Sequence, residues 1–139
     1  MNMAIYRAKK IDSDEYVIGY YFKDSKCSVI LTHSKTDYTD DGMYMKAIII
    51  DPTTLSISFS DMLDSQGNKI FASLSESGKG GDICEFESVW SSKVNAKGLC
   101  IYFDREIILK IINRDELNIM APYSLSSWSG NFKIIGIQK

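Results

Sequence analysis

Leu55-Ser56-Ile57-Ser58-Phe59-Ser60 alternates apolar and small polar residues with period two, the spacing that sends successive side chains to opposite faces of a strand. It is the cleanest alternation in the chain. It predicts a strand with Leu55, Ile57 and Phe59 turned inward and the serines turned to solvent. Working back from it, Asp51-Pro52 ends Lys46 to Ile50, which reads as a buried strand; proline cannot donate to a sheet ladder. Lys35 to Gly42 is polar and reads as a loop, and Val29 to Thr32 as a short strand. In Tyr16 to Phe22 both alternating sets are apolar or aromatic, which predicts a strand covered on both sides. Working forward, Asp64-Ser65-Gln66-Gly67-Asn68 is a turn, Lys69 to Phe71 a short strand and Ser73 to Gly81 a Ser/Gly-rich loop. Asp82 to Phe86 is a strand that runs on toward Trp90, followed by a polar connector, Lys93 to Gly98. Leu99, Ile101 and Phe103 share a strand face, Asp104-Arg105 turns the chain into Glu106 to Ile112, and Phe132 to Ile137 closes it. Between them, Asp115 to Ser127 carries one helical turn near Asp115-Glu116-Leu117.

No segment of ten residues or more carries an apolar stripe at helical spacing. The fold class is therefore all-β: a small barrel or sandwich of about eight short strands with at most one short helix. At 139 residues, positions 1–139 are expected to form a single domain with a real core. The net charge of −2 provides no single-signed field to steer the whole molecule onto nucleic acid or an anionic membrane. Apolar runs such as Ala47 to Ile50 fall far short of the roughly 20 residues of a membrane span. Met-Asn-Met-Ala-Ile-Tyr-Arg at the start lacks the apolar core of a signal peptide, so a cytoplasmic location is expected. Cys27, Cys84 and Cys100 show no metal-knuckle spacing; Cys84 and Cys100 lie in apolar runs and read as small buried hydrophobes.

The chemical motifs are incomplete. Ser77-Gly78-Lys79-Gly80-Gly81 offers backbone N–H groups to a phosphate, but Ser73 stands where a Walker loop needs its first Gly and a strand follows instead of a helix. Asp37 to Gly42 begins like a calcium loop, yet its twelfth position falls on Ile48 instead of Glu. Glu85 and Glu87 share a strand face, more simply a solvent face than a carboxylate pair. His33, beside Thr32 and Ser34, reads as a loop residue without a nucleophile nearby. No catalytic residue, metal site or cofactor is assigned.

Two segments carry a family resemblance. Ile5-Tyr6-Arg7-Ala8-Lys9-Lys10-Ile11-Asp12 leads into Glu15-Tyr16-Val17-Ile18-Gly19-Tyr20-Tyr21; later come Ile50-Asp51-Pro52-Thr53-Thr54, Asp64-Ser65-Gln66-Gly67-Asn68-Lys69-Ile70-Phe71 and Gly81-Asp82-Ile83. This order resembles the signature of the YopX family of phage and prophage proteins. The chain departs from it after Phe71, where Ala72 to Gly80 intervene before Gly81-Asp82. The resemblance implies a small, mainly β protein of SH3-like barrel character encoded by a phage or integrated element, and it implies no catalytic residues. Asp64, Gly67, Asn68, Gly81 and Asp82 of the motif read mainly as turn-forming residues.

The functional expectation is an accessory protein acting by macromolecular binding or self-assembly, with an unknown protein or itself as partner. A homo-oligomer is expected because short strands leave open edges and sixteen aromatics are many for a small barrel to hide. The Ser73–Gly81 loop, with Glu76, Ser77 and Lys79, is the candidate recognition element, and removing Ser73 to Lys79 is expected to spare the fold. One alternative is a nucleic-acid-binding barrel, from the basic and aromatic residues in Tyr6 to Lys10 and Tyr20 to Lys23; the pI near 5.4 weighs against it. The other is an enzyme whose site gathers Asp82, Glu85 and His33.

Overall fold

Among the described residues, short polar turns join apolar strands. The computed structural model describes residues 4–34, 44–87, 93–119, 124–125 and 132–139. The strands are β1 (Ala4–Lys9), β2 (Tyr16–Lys23), β3 (Ser28–Ser34), β4 (Tyr44–Ile49), β5 (Ser56–Phe59), β6 (Ala72–Ser73), β7 (Asp82–Phe86), β8 (Ala96–Phe103), β9 (Glu106–Ile111), β10 (Ser124–Leu125) and β11 (Lys133–Ile137). A 3-10 turn at Pro52–Thr54 and one helical turn, α1 (Arg114–Leu117), complete the described elements. The protein is all-β, with eleven described strands where the sequence predicts about eight.

The turns follow from their side chains. Asp24 Oδ1 accepts from the N–H groups of Lys26 and Cys27 at 2.7 and 2.9 Å, closing the β2–β3 hairpin. Asp104 and Arg105 hold φ values of 51° and 66°, the doubly left-handed geometry that matches a two-residue hairpin loop to strand twist. Asp51 accepts from Thr53 N–H at 3.0 Å and starts the 3-10 turn, with Pro52 at its first position.

All the strands belong to one hydrogen-bonded sheet, ordered β10-β9-β8-β6-β5-β1-β2-β3-β4, with β7 pairing β8 and β11 pairing β7. The sheet curls at its N-terminal end. Lys10 bridges Ile50, and Asp51 N–H donates to Lys9 O at 2.8 Å, so the end of β4 returns to the end of β1. One core lies inside this curl: Ala8, Ile30, Ile50 and Leu55, with Tyr6 and Tyr21 packed against them. A second core gathers Met62, Ile70, Ala72, Cys84, Cys100, Leu109 and Phe132. A third, smaller cluster seats Leu117 of α1 on Ala96 and Ile111.

Several expectations are corrected. β5 is covered on both faces: Ser56 and Ser58 are fully buried, not solvent-facing. The sheet runs through β5, with β1 on one side and β6 on the other, and Ser56 Oγ donates to Arg7 O at 3.2 Å. β2 is the reverse: Ile18, Tyr20 and Phe22 are 45%, 46% and 56% exposed. β4 is not a buried strand, since Lys46, Ala47 and Ile49 are exposed and Ile50 beyond its end carries the burial. Lys69 makes only an isolated bridge with Leu63, and the pairing strand is β6. The polar connector ends early, because β8 already begins at Ala96. His33 lies in β3 instead of a loop, opposite Met45. The loop at 35–42, with its calcium-like start, and the continuation to Trp90 lie outside the described residues.

Candidate functional site

Three places bear on function: the motif turns with the chain between them, the open face of β2–β4, and the hollows beside them.

Asp64 organises its turn completely. Its Oδ1 accepts from Gln66 N–H and Asn68 N–H at 2.9 and 2.8 Å, and its Oδ2 from the Asn68 side-chain amide at 3.2 Å. Partial burial pushes its carboxyl up, but the Asn68 and Gln66 donors outweigh this and hold it below the ordinary carboxylate value. Gly67 takes φ 83° at the tip.

Asp82 is nearly inaccessible at 1% exposure. Its Oδ1 meets Arg7 Nη2 at 2.8 Å and its Oδ2 accepts from Phe71 N–H at 2.8 Å. The same Arg7 nitrogen donates to Gly80 O at 2.8 Å. The Arg7 guanidinium carbon lies 4.6 Å from the centre of the Phe71 ring and 5.5 Å from that of Tyr16. Burial raises the Asp82 carboxyl above its ordinary value, with Arg7 and the Phe71 N–H pulling the other way. Arg7 Nε is buried and unpartnered. The arrangement fastens β1 to β7 and the segment before it.

That segment, residues 74–81, is anchored. Ser73 Oγ donates to Lys79 O at 2.7 Å, Gly80 N–H to Gln138 O at 2.8 Å and Gly81 N–H to Gly78 O at 3.0 Å. Gly80 holds φ 84° so close to the 3-10 turn that a Cβ would sit 2.1 Å from Thr54 O. The backbone N–H groups of Gly78, Lys79, Gly80 and Gly81 all have acceptors, so no phosphate cradle is offered by the backbone. Among the named candidates, Glu76 and Ser77 are exposed and Lys79 is half-exposed.

Asp82, Glu85 and His33 are not gathered into one site. Asp82 and Glu85 fall on opposite faces of β7 by strand alternation, and β3 pairs only with β2 and β4. Glu85 accepts from the Asn95 side-chain amide at 3.2 Å, and Glu87 is exposed. No group of three or more His, Cys, Asp and Glu is arranged to hold a metal ion among the described residues. Cys84 and Cys100 are free thiols with sulfurs 3.8 Å apart in the second core. Their shared hydrogen bond and then burial raise the Cys100 thiol well above its ordinary value, the opposite of what activates a thiol.

The feature that patterning misses is the face of β2–β4. Register places Tyr20 opposite Leu31, Phe22 opposite Val29, and Val29 opposite Ile49. With Ile18 and Ala47 they form a continuous uncharged face, on which Ile49 is 50% exposed. Beside Ile49, a hollow of about 400 Å³ continues the surface over Ile11 and Pro52, rimmed by Lys23 and Lys26. The sequence signal is present, as apolar residues on both faces of β2. Alternation alone does not distinguish cover by the same chain from cover by another. No described helix is long and apolar enough to cross a membrane. No protein-family model, curated protein or solved structure matches the chain.

Proposed function

We propose that the protein is a phage- or prophage-borne accessory protein that works by binding and not by turnover, assembling with a second copy of itself through the β2–β4 face. The observation that carries this reading is the row Ile18, Tyr20, Phe22 and Ile49, each 45–56% exposed on one uncharged surface. Contiguous exposed apolar surface marks interaction sites, and aromatics are enriched at the centres of interfaces. The occupant is a second copy because the face is its own complement. The side chains of Ile18, Tyr20, Phe22, Val29, Leu31, Ala47 and Ile49 carry no charge, and two such sheets can pack face to face about 10 Å apart. The net charge of −2 adds little repulsion between copies.

Light scattering over a concentration series tests the reading. A dimeric mass is expected for the native chain and a monomeric one for Phe22→Asp, whose side chain is outside every core cluster. A monomer at all concentrations up to about 0.5 mM, a concentration at which even weak interfaces associate, refutes self-assembly.

A further inference from the structure

A second hollow, of about 450 Å³, is lined by Lys9, Asp14, Tyr16, Thr54, Lys79 and Lys139. It draws on four separate parts of the fold. Lys9 and Tyr16 are register partners on β1 and β2, Thr54 belongs to the 3-10 turn, and Lys79 comes from the anchored segment. Lys139 is brought in by the pairing of Gln138 with Gly80 and Gly81. Three ammonium groups thus meet two carboxylates, Asp14 in the lining and Asp51 beside it, in a molecule whose net charge is −2. Asp14 pairs with Lys9 at 3.2 Å. Asp51, nearby, accepts from the Thr53 N–H and hydroxyl at 3.0 and 2.7 Å, and Lys79 and Lys9 help these donors hold its carboxyl below the ordinary value. Lys79 and Lys139 form no ion pair among the described residues. The Thr54 hydroxyl is spent on Lys9 N–H and Asp51 O.

Three cations against two anions in a concave site leave an excess of positive charge that a polyanion relieves. One wall is aromatic: the half-buried Tyr16 ring, with the Arg7 guanidinium carbon 5.5 Å from its centre. Lysines that neutralise phosphate oxygens beside a ring that stacks on a base form the combination that holds nucleotides. The volume lies within the range of small-ligand sites.

We infer that this hollow binds a nucleoside phosphate, with Lys9, Lys79 and Lys139 on the phosphates and Tyr16 against the base. The site shares no residue with the apolar face of β2–β4, so the two readings stand or fall separately. The phosphate arrives either as a free nucleotide or within single-stranded nucleic acid.

Calorimetry at low salt tests this with ATP, tripolyphosphate and an eight-nucleotide oligo-dT as probes. ATP is expected to bind one per chain, with tripolyphosphate competing. The double reversal Lys79→Glu/Lys139→Glu is expected to weaken ATP at least about tenfold. Lys69→Glu/Lys110→Glu makes the same change in net charge at exposed positions elsewhere, and is expected to change affinity by less than about twofold. Tyr16→Leu is expected to weaken ATP more than tripolyphosphate. Tighter binding of ATP than of the oligonucleotide assigns the site to free nucleotides, and the reverse assigns it to a strand. Absence of saturable binding by both ATP and the oligonucleotide, or equal losses in the two double variants, overturns the site. Equal losses of ATP and tripolyphosphate on Tyr16→Leu overturn the nucleoside part.

Discussion

Asp82 spends both carboxylate oxygens inside the protein, one on Arg7 and one on the Phe71 N–H. Removing it leaves a buried guanidinium without its counter-charge and a buried amide without an acceptor. Asp82→Ala is expected to cost about 3–5 kcal/mol, read from urea midpoints. Gly80 is equally constrained, by φ 84° and by Thr54 O at 2.1 Å from any added Cβ. Gly80→Ala is therefore expected to cost more than about 2 kcal/mol, because the 3-10 turn has to move. The two motif carboxylates respond to pH with opposite signs. Asp64 is held below its ordinary 3.8, so its contribution is present above that value and fades as pH falls through its lowered folded value. Asp82 is raised above 3.8, so its ionisation subtracts stability as pH rises from 3.8 through its raised folded value. Asp64→Asn is expected to flatten the loss of stability between about pH 4 and pH 2, measured as urea midpoint against pH.

At the scale of elements, the segment after β6 is structural. It contributes Ser73 to the sheet, the Ser73–Lys79 hydrogen bond, and Gly78, whose added Cβ would lie 2.2 Å from Leu99. The expectation that Ser73 to Lys79 can be removed without harm is reversed. The deletion takes away half of β6 and is expected to lower the melting temperature by more than about 10 °C, if the protein folds at all. The β8–β9 hairpin offers the opposite test. Its turn holds Asp104 and Arg105 at positive φ, where Asn and Gly are better suited. Asp104→Asn/Arg105→Gly is expected to stabilise by about 0.5–1 kcal/mol, visible as a raised urea midpoint with unchanged slope.

At the scale of the molecule, the sheet is continuous while the cores are separate, and Arg7–Asp82 links the curled end to the strands around the second core. Cys84 and Cys100 report on that second core, while Cys27 is half-exposed in the β2–β3 turn. Thiol titration of native protein is expected to show one fast group and two that react only on unfolding. Loss of all three at one rate contradicts this picture of the core.

The sequence by itself determined the all-β class, the β8–β9 turn at Asp104-Arg105, the helical turn near Asp115, and the burial of Cys84 and Cys100. These depend on period-two patterning and on local backbone preferences, which act over a few residues. The tertiary structure decided which faces are covered. Ser56 and Ser58 alternate like a solvent face, yet β5 lies mid-sheet between β1 and β6, and they are buried. Ile18, Tyr20 and Phe22 are patterned like a covered face, yet they stand open beside β3 and β4. The pairing of Arg7 with Asp82 and the meeting of Lys9, Tyr16, Lys79 and Lys139 join residues far apart along the chain. Such contacts are set by strand order and by the curl of the sheet, and neither is encoded in the alternation of a single segment.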